Sequence, residues 1–147
     1  MTVYLDTSFA VGLFLTVHPD HRRCRAQLVR PSAPPSLITS AHTLAETYVT
    51  LVRNVRPLLT PAAARQLIDR SLRRSADVRA ISVDDYDRTL AIAEGAGIVG
   101  PLFYDLLHCV CADAADADEL WTLNGKDFAR LQSITRVTVV IPPAVST

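Results

Sequence analysis

The sequence lacks long apolar runs, and no stretch reaches the roughly 18 residues that a membrane-spanning helix needs. The segment from Met1 to Asp6 is apolar from the start and has neither the basic region nor the small-residue cleavage site of a signal peptide. Cysteine is scarce, because Cys24, Cys109 and Cys111 are the only ones, and no second pair completes a four-cysteine zinc site. We therefore expect a cytoplasmic protein with reduced thiols and no membrane anchor.

Internal repeats and low-complexity segments are also absent, which argues against a repeat protein or a disordered chain. Aromatic residues make up only 6% of the chain, and we expect Tyr104, Trp121 and Phe128 in the core or an interface rather than as base-stacking platforms. Hydrophobic residues make up 49%, enough for a sizeable core. The length of 147 residues predicts a single domain, 1–147.

The formal net charge is zero, but the two signs are unevenly distributed. Residues 22–79 contain eleven of the fifteen basic residues, all of them arginine, against three acids. Residues 80–147 contain ten acids and four bases. Because arginine pairs well with phosphate, this asymmetry is compatible with a polyanionic partner such as RNA. Solvated helix faces explain the same pattern equally well.

Strands alternate with helices along the chain, and the strand segments are apolar throughout rather than alternating. This pattern is typical of a parallel sheet that is covered by helices on both faces, so we predict an α/β fold. The predicted strands are 2–6, 36–40, 78–83, 120–123 and 137–141. The longer predicted helices are 40–55, 60–74, 84–96 and 103–115.

The glycines in "GAGIVG", residues 95–100, match the dinucleotide-binding pattern G-x-G-x-x-G. That motif requires a strand before the glycines and a helix after them. In this sequence a predicted helix precedes them and Pro101 follows. We therefore expect Gly95 and Gly97 to form a helix C-terminus and a turn.

Three acids lie in apolar surroundings: Asp6 at the end of the first strand, Glu46 in "HTLAETYVTL" and Asp105 in "LFYDLLHCVCA". Each alone is explained as a capping or ion-paired residue. Taken together, they favour a metal site, because clustered buried carboxylates are costly unless a cation neutralises them. Oxygen ligands favour Mg²⁺ or Mn²⁺ over zinc. Such a site beside an arginine-rich region suggests phosphodiester hydrolysis.

Four segments, "YLDTSF", "LAETYVTL", "FYDLLHCVCA" and "LWTLNGKDFARL", occur in the order and context of the PIN-domain ribonucleases. The resemblance covers essentially the whole chain and is closest to the small VapC-like toxins of bacterial toxin–antitoxin pairs. It implies a three-layer α/β/α sandwich with about five parallel strands and an RNA-cleaving site that depends on Mg²⁺ or Mn²⁺. It also implies a homodimer and inhibition by a cognate antitoxin, for which apolar helices of the first half would form a groove.

The resemblance also assigns roles to individual residues. Asp6 and Asp105 resemble the direct metal ligands, and Glu46 resembles the second acid, which binds the metal directly or through water. Supporting roles around the carboxylates or a bound water are implied for three hydroxyl residues, Thr7, Ser8 and Thr122.

The fourth acidic position is where the sequence departs from the family. Many members have an aspartate two residues after the threonine that Thr122 resembles, and this chain has Asn124. Asn124 keeps a neutral oxygen ligand but loses a charge, so a second metal becomes doubtful. Asp127 lies three residues further on, and either reaches the site or caps the next helix.

Two alternatives to this prediction remain open. His42 and Glu46 are spaced i, i+4 and Asp105 and His108 i, i+3, so each pair can share a helix face and contribute to a zinc site, although a third ligand is missing. A PIN-like RNA- or protein-binding module without turnover is the alternative from another class, and Asn124 favours it.

Overall fold

The computed structural model describes residues 1–29 and 33–144, and its centre is a sheet of five parallel strands. The strands stand in the order β3-β2-β1-β4-β5. The predicted parallel sheet and the α/β class are therefore confirmed. The strands are β1 (Thr2–Leu5), β2 (Ser36–Ser40), β3 (Ala76–Arg79), β4 (Glu119–Trp121) and β5 (Thr138–Val140).

Helices connect the strands and cover the sheet. They are α1 (Thr7–Phe14), α2 (His21–Gln27), α3 (Ala41–Arg53), α4 (Pro61–Leu67), α5 (Arg73–Ser75), α6 (Val83–Ala96), α7 (Leu102–Ala114) and α8 (Gly125–Leu131). A wider π-helical turn, Ile68–Leu72, joins α4 to α5. None of the helices in the described ranges combines the length and apolarity that crossing a membrane requires.

The strand order reverses at β1. From β1 the chain proceeds outward through β2 to β3, and then returns to the other side of β1 to form β4 and β5. In open parallel sheets the crevice at such a reversal, outside the carboxyl ends of the strands, is where ligands bind. The residues that follow Leu5 and Trp121 therefore lie at the favoured place for a site.

Each face of the sheet contributes to a separate part of the core, because successive strand residues point to opposite faces. Tyr4 and Leu120 belong to a cluster with apolar residues of α6, α7 and α8. Val3, Leu5 and Trp121 belong to another cluster, together with α1 and α2. These two clusters hold the three layers together and fix where the strands end.

The third strand is displaced from its predicted position. We predicted 78–83, but β3 is Ala76–Arg79, because those residues pair with Leu37 to Ser40 of β2. Ser82 cannot continue the strand because it is the N-cap of α6: its hydroxyl accepts from the backbone of Asp85, whose side chain accepts from the backbone of Ser82. The predicted strand 78–83 did not take account of this capping box.

The glycines of "GAGIVG" form no nucleotide loop. Gly95 lies inside α6, and Gly97 ends that helix in the left-handed conformation, with φ of 64°. The expected helix C-terminus is thus confirmed. The three cysteines are free and buried.

Candidate active site

Asp6 lies at the reversal point, directly after β1, and is buried, with only 3% of its surface exposed. It is the N-cap of α1, and its Oδ1 accepts a hydrogen bond of 2.7 Å from the backbone N–H of Phe9. Its backbone N–H donates to the carbonyl of Trp121 at 3.2 Å, which ties it to β4. The local sequence therefore fixes this carboxylate at the sheet edge.

Two hydroxyls hold the same carboxylate. Thr122 Oγ1 donates to Asp6 Oδ2 at 2.7 Å, and Ser8 Oγ lies 2.9 Å from both oxygens. Ser8 in turn accepts from the backbone of Leu123, and Thr122 accepts from the backbone of Asn124, each at 2.9 Å. Burial raises the pKa of Asp6, and the charge of His108 and these hydrogen bonds only partly counteract it.

Glu46 lies on α3 and receives bonds from both neighbouring elements. Thr7 Oγ1 donates to its Oε2 at 2.6 Å, and His108 Nε2 lies 2.8 Å from the same atom. His42 Nε2 lies 3.5 Å from Oε1. Burial by itself raises the pKa of Glu46, but the contacts with His108, His42 and Thr7 outweigh it and hold the pKa well below its usual range. The carboxylate is therefore ionised.

His108 also contacts Tyr4 on β1, whose hydroxyl lies 3.1 Å from Nδ1. Because an ionised carboxylate only accepts, Nε2 carries the proton that points to Glu46. Both His108 and Tyr4 are buried. The sequence predicted no partner for His108 beyond Asp105, since its two partners lie 62 and 104 residues away.

Asp105 lies in the first turn of α7. Burial and the negative charges of Asp6, Asp127 and Glu46 raise its pKa to about 6, although the charge of His108 opposes them. The charges of three other carboxylates therefore act on Asp105. Since like charges disfavour ionisation of their neighbours, a cation at this place would relieve the repulsion.

Asn124 and Asp127 contact one another. The side-chain amide of Asn124 donates to Asp127 Oδ2 at 2.9 Å, which leaves the amide oxygen free to face elsewhere. Asn124 is the N-cap of α8, but its side chain makes no capping bond. Asp127 lies in the first turn of α8, and its charge acts on Asp105.

Two clefts flank the acids and share Thr50 and Asn54 in their walls. One, of about 540 Å³, is mostly apolar. Its lining includes Ser8, Val11, Leu15, Val55, Leu123 and Asn124. The other, of about 490 Å³, contains Glu46.

The side chains of the acidic site provide the type of ligand atom that a divalent cation requires. Asp6, Glu46, Asp105 and Asp127 offer oxygen ligands, and their mutual repulsion fits Mg²⁺ or Mn²⁺ better than a neutral ligand. Within residues 1–29 and 33–144, no three His, Cys, Asp or Glu side chains are already positioned around a common metal point, either for the oxygen set or for the zinc alternative. Glu46 instead turns toward His108, Thr7 and His42.

Comparison with known families gives a clear result. The PIN domain family model matches residues 3–133. This chain belongs to the PIN domain family. The predicted family and the three-layer fold are thereby confirmed. No curated protein sequence matched the chain.

Solved structures similar to this PIN domain include toxins and toxin–antitoxin complexes. The VapC20 toxin of Mycobacterium tuberculosis, which cleaves the sarcin-ricin loop, has a TM-score of 0.69 and 21% identity over 86% of this chain and 93% of its own. VapBC2 of Rickettsia felis, bound to promoter DNA, has a TM-score of 0.67 and 22% identity, and the match covers 97% of this chain and 100% of its own. A toxin–antitoxin complex of Klebsiella pneumoniae has a TM-score of 0.66 and 22% identity, and the match covers 97% of this chain and 99% of its own. At these identities the likeness shows the fold.

Proposed function

We propose that this PIN domain is a divalent-cation-dependent endoribonuclease. The observation that carries the proposal is that Thr7 and His108 both donate to Oε2 of Glu46. Thr7 follows Asp6, and His108 lies one turn after Asp105. Through these two hydrogen bonds α3, which carries Glu46, contacts the start of α1 next to Asp6 and also α7, which carries Asp105.

Asp6 and Asp105 would hold the cation, and Glu46 would bind it directly or through water. When bound, Mg²⁺ or Mn²⁺ would polarise a phosphoryl oxygen and make an attacking water more acidic. Glu46, kept ionised by its donors Thr7 and His108 and by the nearby His42, would accept a hydrogen bond from that water and orient it. Ser8 and Thr122 keep both oxygens of Asp6 in fixed directions, and Asn124 and Asp127 complete the acidic edge.

The arginines of residues 22–79 support RNA as the substrate. Among those the structure describes, nine are exposed, including Arg53, the last residue of α3, and Arg56, which lines the apolar cleft. An exposed guanidinium can form bidentate, charge-assisted hydrogen bonds with a phosphate. RNA affinity should therefore fall as salt concentration rises.

A toxin role with a cognate antitoxin is part of the same proposal. The apolar cleft of about 540 Å³ reaches Ser8 and Asn124, so an antitoxin segment in it would lie against the acidic edge. A homodimer is supported by Val83, Tyr86 and Leu90, which are 75%, 40% and 56% exposed and spaced on one side of α6. The antitoxin should bind through apolar contacts, with an arginine facing the acids.

The experiment is cleavage of a structured RNA by the purified chain with Mg²⁺, with Mn²⁺ and with EDTA. We expect cleavage that EDTA abolishes and added Mg²⁺ restores. Cleavage that persists in excess EDTA would contradict a cation-dependent mechanism.

A binding module without turnover is the second candidate. Asn124 favours it, because its amide replaces a charge at the acidic edge and pairs with Asp127. The same assay separates the two functions: RNA bound and released intact with every cation would establish the binding module and exclude the nuclease.

A further inference from the structure

Tyr104 and His42 form a stacked pair beside the acids. Their ring centroids are 5.3 Å apart and the ring planes differ by 13°. Tyr104 directly precedes Asp105, and 49% of its surface is exposed. His42 lies one helical turn before Glu46 on α3. An exposed aromatic surface thus adjoins two of the proposed functional carboxylates.

This pair forms one side of the cleft of about 490 Å³. That volume lies within the roughly 300–1,000 Å³ of small-ligand sites. Ala45 and Val49 provide apolar surface, whereas Glu46, Thr50 and Asn54 provide hydrogen-bonding groups. The cleft therefore combines a flat π surface with polar groups at its margin.

We propose that this cleft is a nucleobase subsite, in which an unpaired base of the RNA stacks on Tyr104 while Thr50 and Asn54 contact the edge of the base. The inference rests on the proposed function, since it takes the substrate to be RNA. Beyond that function, it identifies an unpaired base as the recognised part of the RNA and Tyr104, Thr50 and Asn54 as the residues that recognise it. Proteins read RNA sequence mainly through unpaired bases that stack on aromatic side chains.

The surroundings favour a nucleotide over an apolar protein segment. An apolar segment would cover Glu46 and Asn54 without pairing them, whereas a base has N–H groups and acceptors along its edge. Arg53 and Arg56 are exposed on either side of Asn54 and can hold the phosphate of the same nucleotide. A base here would belong to a nucleotide close to Glu46, which lines the same cleft.

The stack also prepares Tyr104 for binding. His42 is packed against the tyrosine ring and lies close to Glu46, so α3 fixes the ring that α7 presents. A side chain already held in its bound orientation loses less conformational freedom when a ligand binds. His42 therefore acts as a positioning residue for Tyr104.

Tryptophan fluorescence tests the subsite directly. In the Asp6→Asn chain kept in EDTA, Tyr104→Trp introduces a reporter, while the single native tryptophan, Trp121, is fully buried. The probes are a mixed-sequence single-stranded oligoribonucleotide and an abasic ribose-phosphate oligomer of equal length and charge. We expect saturable quenching by the base-bearing probe and little by the abasic one.

Binding by the parent Asp6→Asn chain provides the quantitative test. Tyr104→Ala should weaken binding of the base-bearing oligomer roughly 5- to 150-fold, the range that loss of one stacking contact produces. Tyr104→Phe should bind like the parent. Tyr48→Ala is the matched control, because Tyr48 is a partly exposed tyrosine on α3 outside the cleft lining, and it should also bind like the parent.

Failure of this inference is distinct from failure of the proposed function. Equal quenching by the abasic probe, or equal affinities of Tyr104→Ala and Tyr48→Ala, would overturn the subsite even if the native chain cleaves RNA. Quenching only by a protein partner would also overturn it. Base-dependent quenching in a chain that never cleaves RNA would support the subsite and refute the nuclease.

Discussion

His108 Nε2 lies 2.8 Å from Glu46 Oε2, and this hydrogen bond joins α7 to α3 across the acidic site. On its other side, His108 Nδ1 contacts the buried hydroxyl of Tyr4 at 3.1 Å. The imidazole is therefore held at both nitrogens, and its orientation determines where the carboxylate of Glu46 points. Groups that orient functional side chains in this way are often as important as the side chains they support.

Replacing His108 should impair the reaction through Glu46. We expect His108→Ala to lower kcat roughly 10- to 100-fold, the usual cost of removing a supporting hydrogen bond near a metal site, with a smaller change in KM. His108→Gln, whose amide can still donate to Glu46, should recover part of kcat. The measurement is steady-state cleavage of one RNA by folded variants, with folding checked by circular dichroism.

A purely structural role for His108 gives a different pattern. In that case His108→Gln and His108→Ala would lose kcat in proportion to their loss of stability, and Gln would give no selective rescue. That outcome would contradict the positioning of Glu46.

Removing the Thr122 hydroxyl should weaken the hold on Asp6. Thr122→Val keeps the shape but deletes a 2.7 Å bond to a buried carboxylate, so we expect unfolding free energy to fall by about 1–3 kcal/mol and Mn²⁺ affinity to fall. Calorimetry of Mn²⁺ binding and chemical denaturation give the two values. The matched control is Thr89→Val, which deletes the bond from a buried threonine to the carbonyl of Asp85 on α6 and should leave Mn²⁺ affinity unchanged. Equal Mn²⁺ affinities for both variants would refute the prediction.

Substitutions at Asn124 and Asp127 should change the stabilisation by Mg²⁺ in opposite directions. In Asn124→Asp a second carboxylate replaces the amide that pairs with Asp127, so the cation-free protein should melt at a lower temperature, and Mg²⁺ should raise its Tm more than that of the native chain. Asp127→Asn should show a smaller Mg²⁺ effect than the native chain, because it removes a charge that acts on Asp105. An unchanged Mg²⁺ effect in Asp127→Asn would mean that Asp127 only supports Asn124.

Asp85 should make the stability of α6 depend on pH. The hydrogen bonds from Ser82 hold the pKa of Asp85 below its usual value, so its contribution is present above that value and is lost as pH falls through the folded-state pKa. Asp85→Ala should lower the unfolding free energy at neutral pH by less than the roughly 0.5–2 kcal/mol that loss of an N-cap costs, because Ser82 remains as the N-cap and Asp85 occupies N3. The difference from the native chain should shrink as pH falls below the usual pKa of an aspartate, because the pKa of Asp85 is lowered in the folded state.

Denaturation curves at several pH values measure this dependence, with Asp84→Ala as the control. Asp84 occupies the same first turn of α6 but lies outside the capping box. An equally large and equally pH-dependent loss in both variants would assign the effect to the helix dipole instead.

Much of the fold follows from local sequence. The apolar run before Asp6 and the strong N-cap and proline at Thr60 and Pro61 specify their elements without distant partners, and α4 begins as predicted. The boundary of β3 does not follow, because it depends on pairing with β2 rather than on its own apolar residues. The apolar residues of 78–83 predicted a strand there, but Ser82 forms the capping box of α6 and therefore cannot be part of a strand.

In the candidate site, too, some features follow from local sequence and others do not. Asp6, Glu46 and Asp105 stand out in the sequence because each is an acid among apolar neighbours. Their partners do not stand out: Thr7 was expected to steady Asp6 or a bound water, yet its hydroxyl donates to Glu46, 39 residues away. Tyr104 was expected in the core or an interface; it does not belong to the core of the chain, because the packing of α7 on α6 and β2 leaves it half exposed at the cleft.

The most direct test of the central claim is RNA cleavage by the Asp6→Asn chain with saturating Mg²⁺, beside the native chain. Asp6→Asn removes the charge at the reversal of the sheet. Its one side-chain oxygen can still accept from the Phe9 N–H, and its amide N–H can donate to the Thr122 hydroxyl, so the fold should survive, as circular dichroism would show. The account predicts cleavage by the native chain and none by Asp6→Asn. Cleavage at the native rate by folded Asp6→Asn would contradict it.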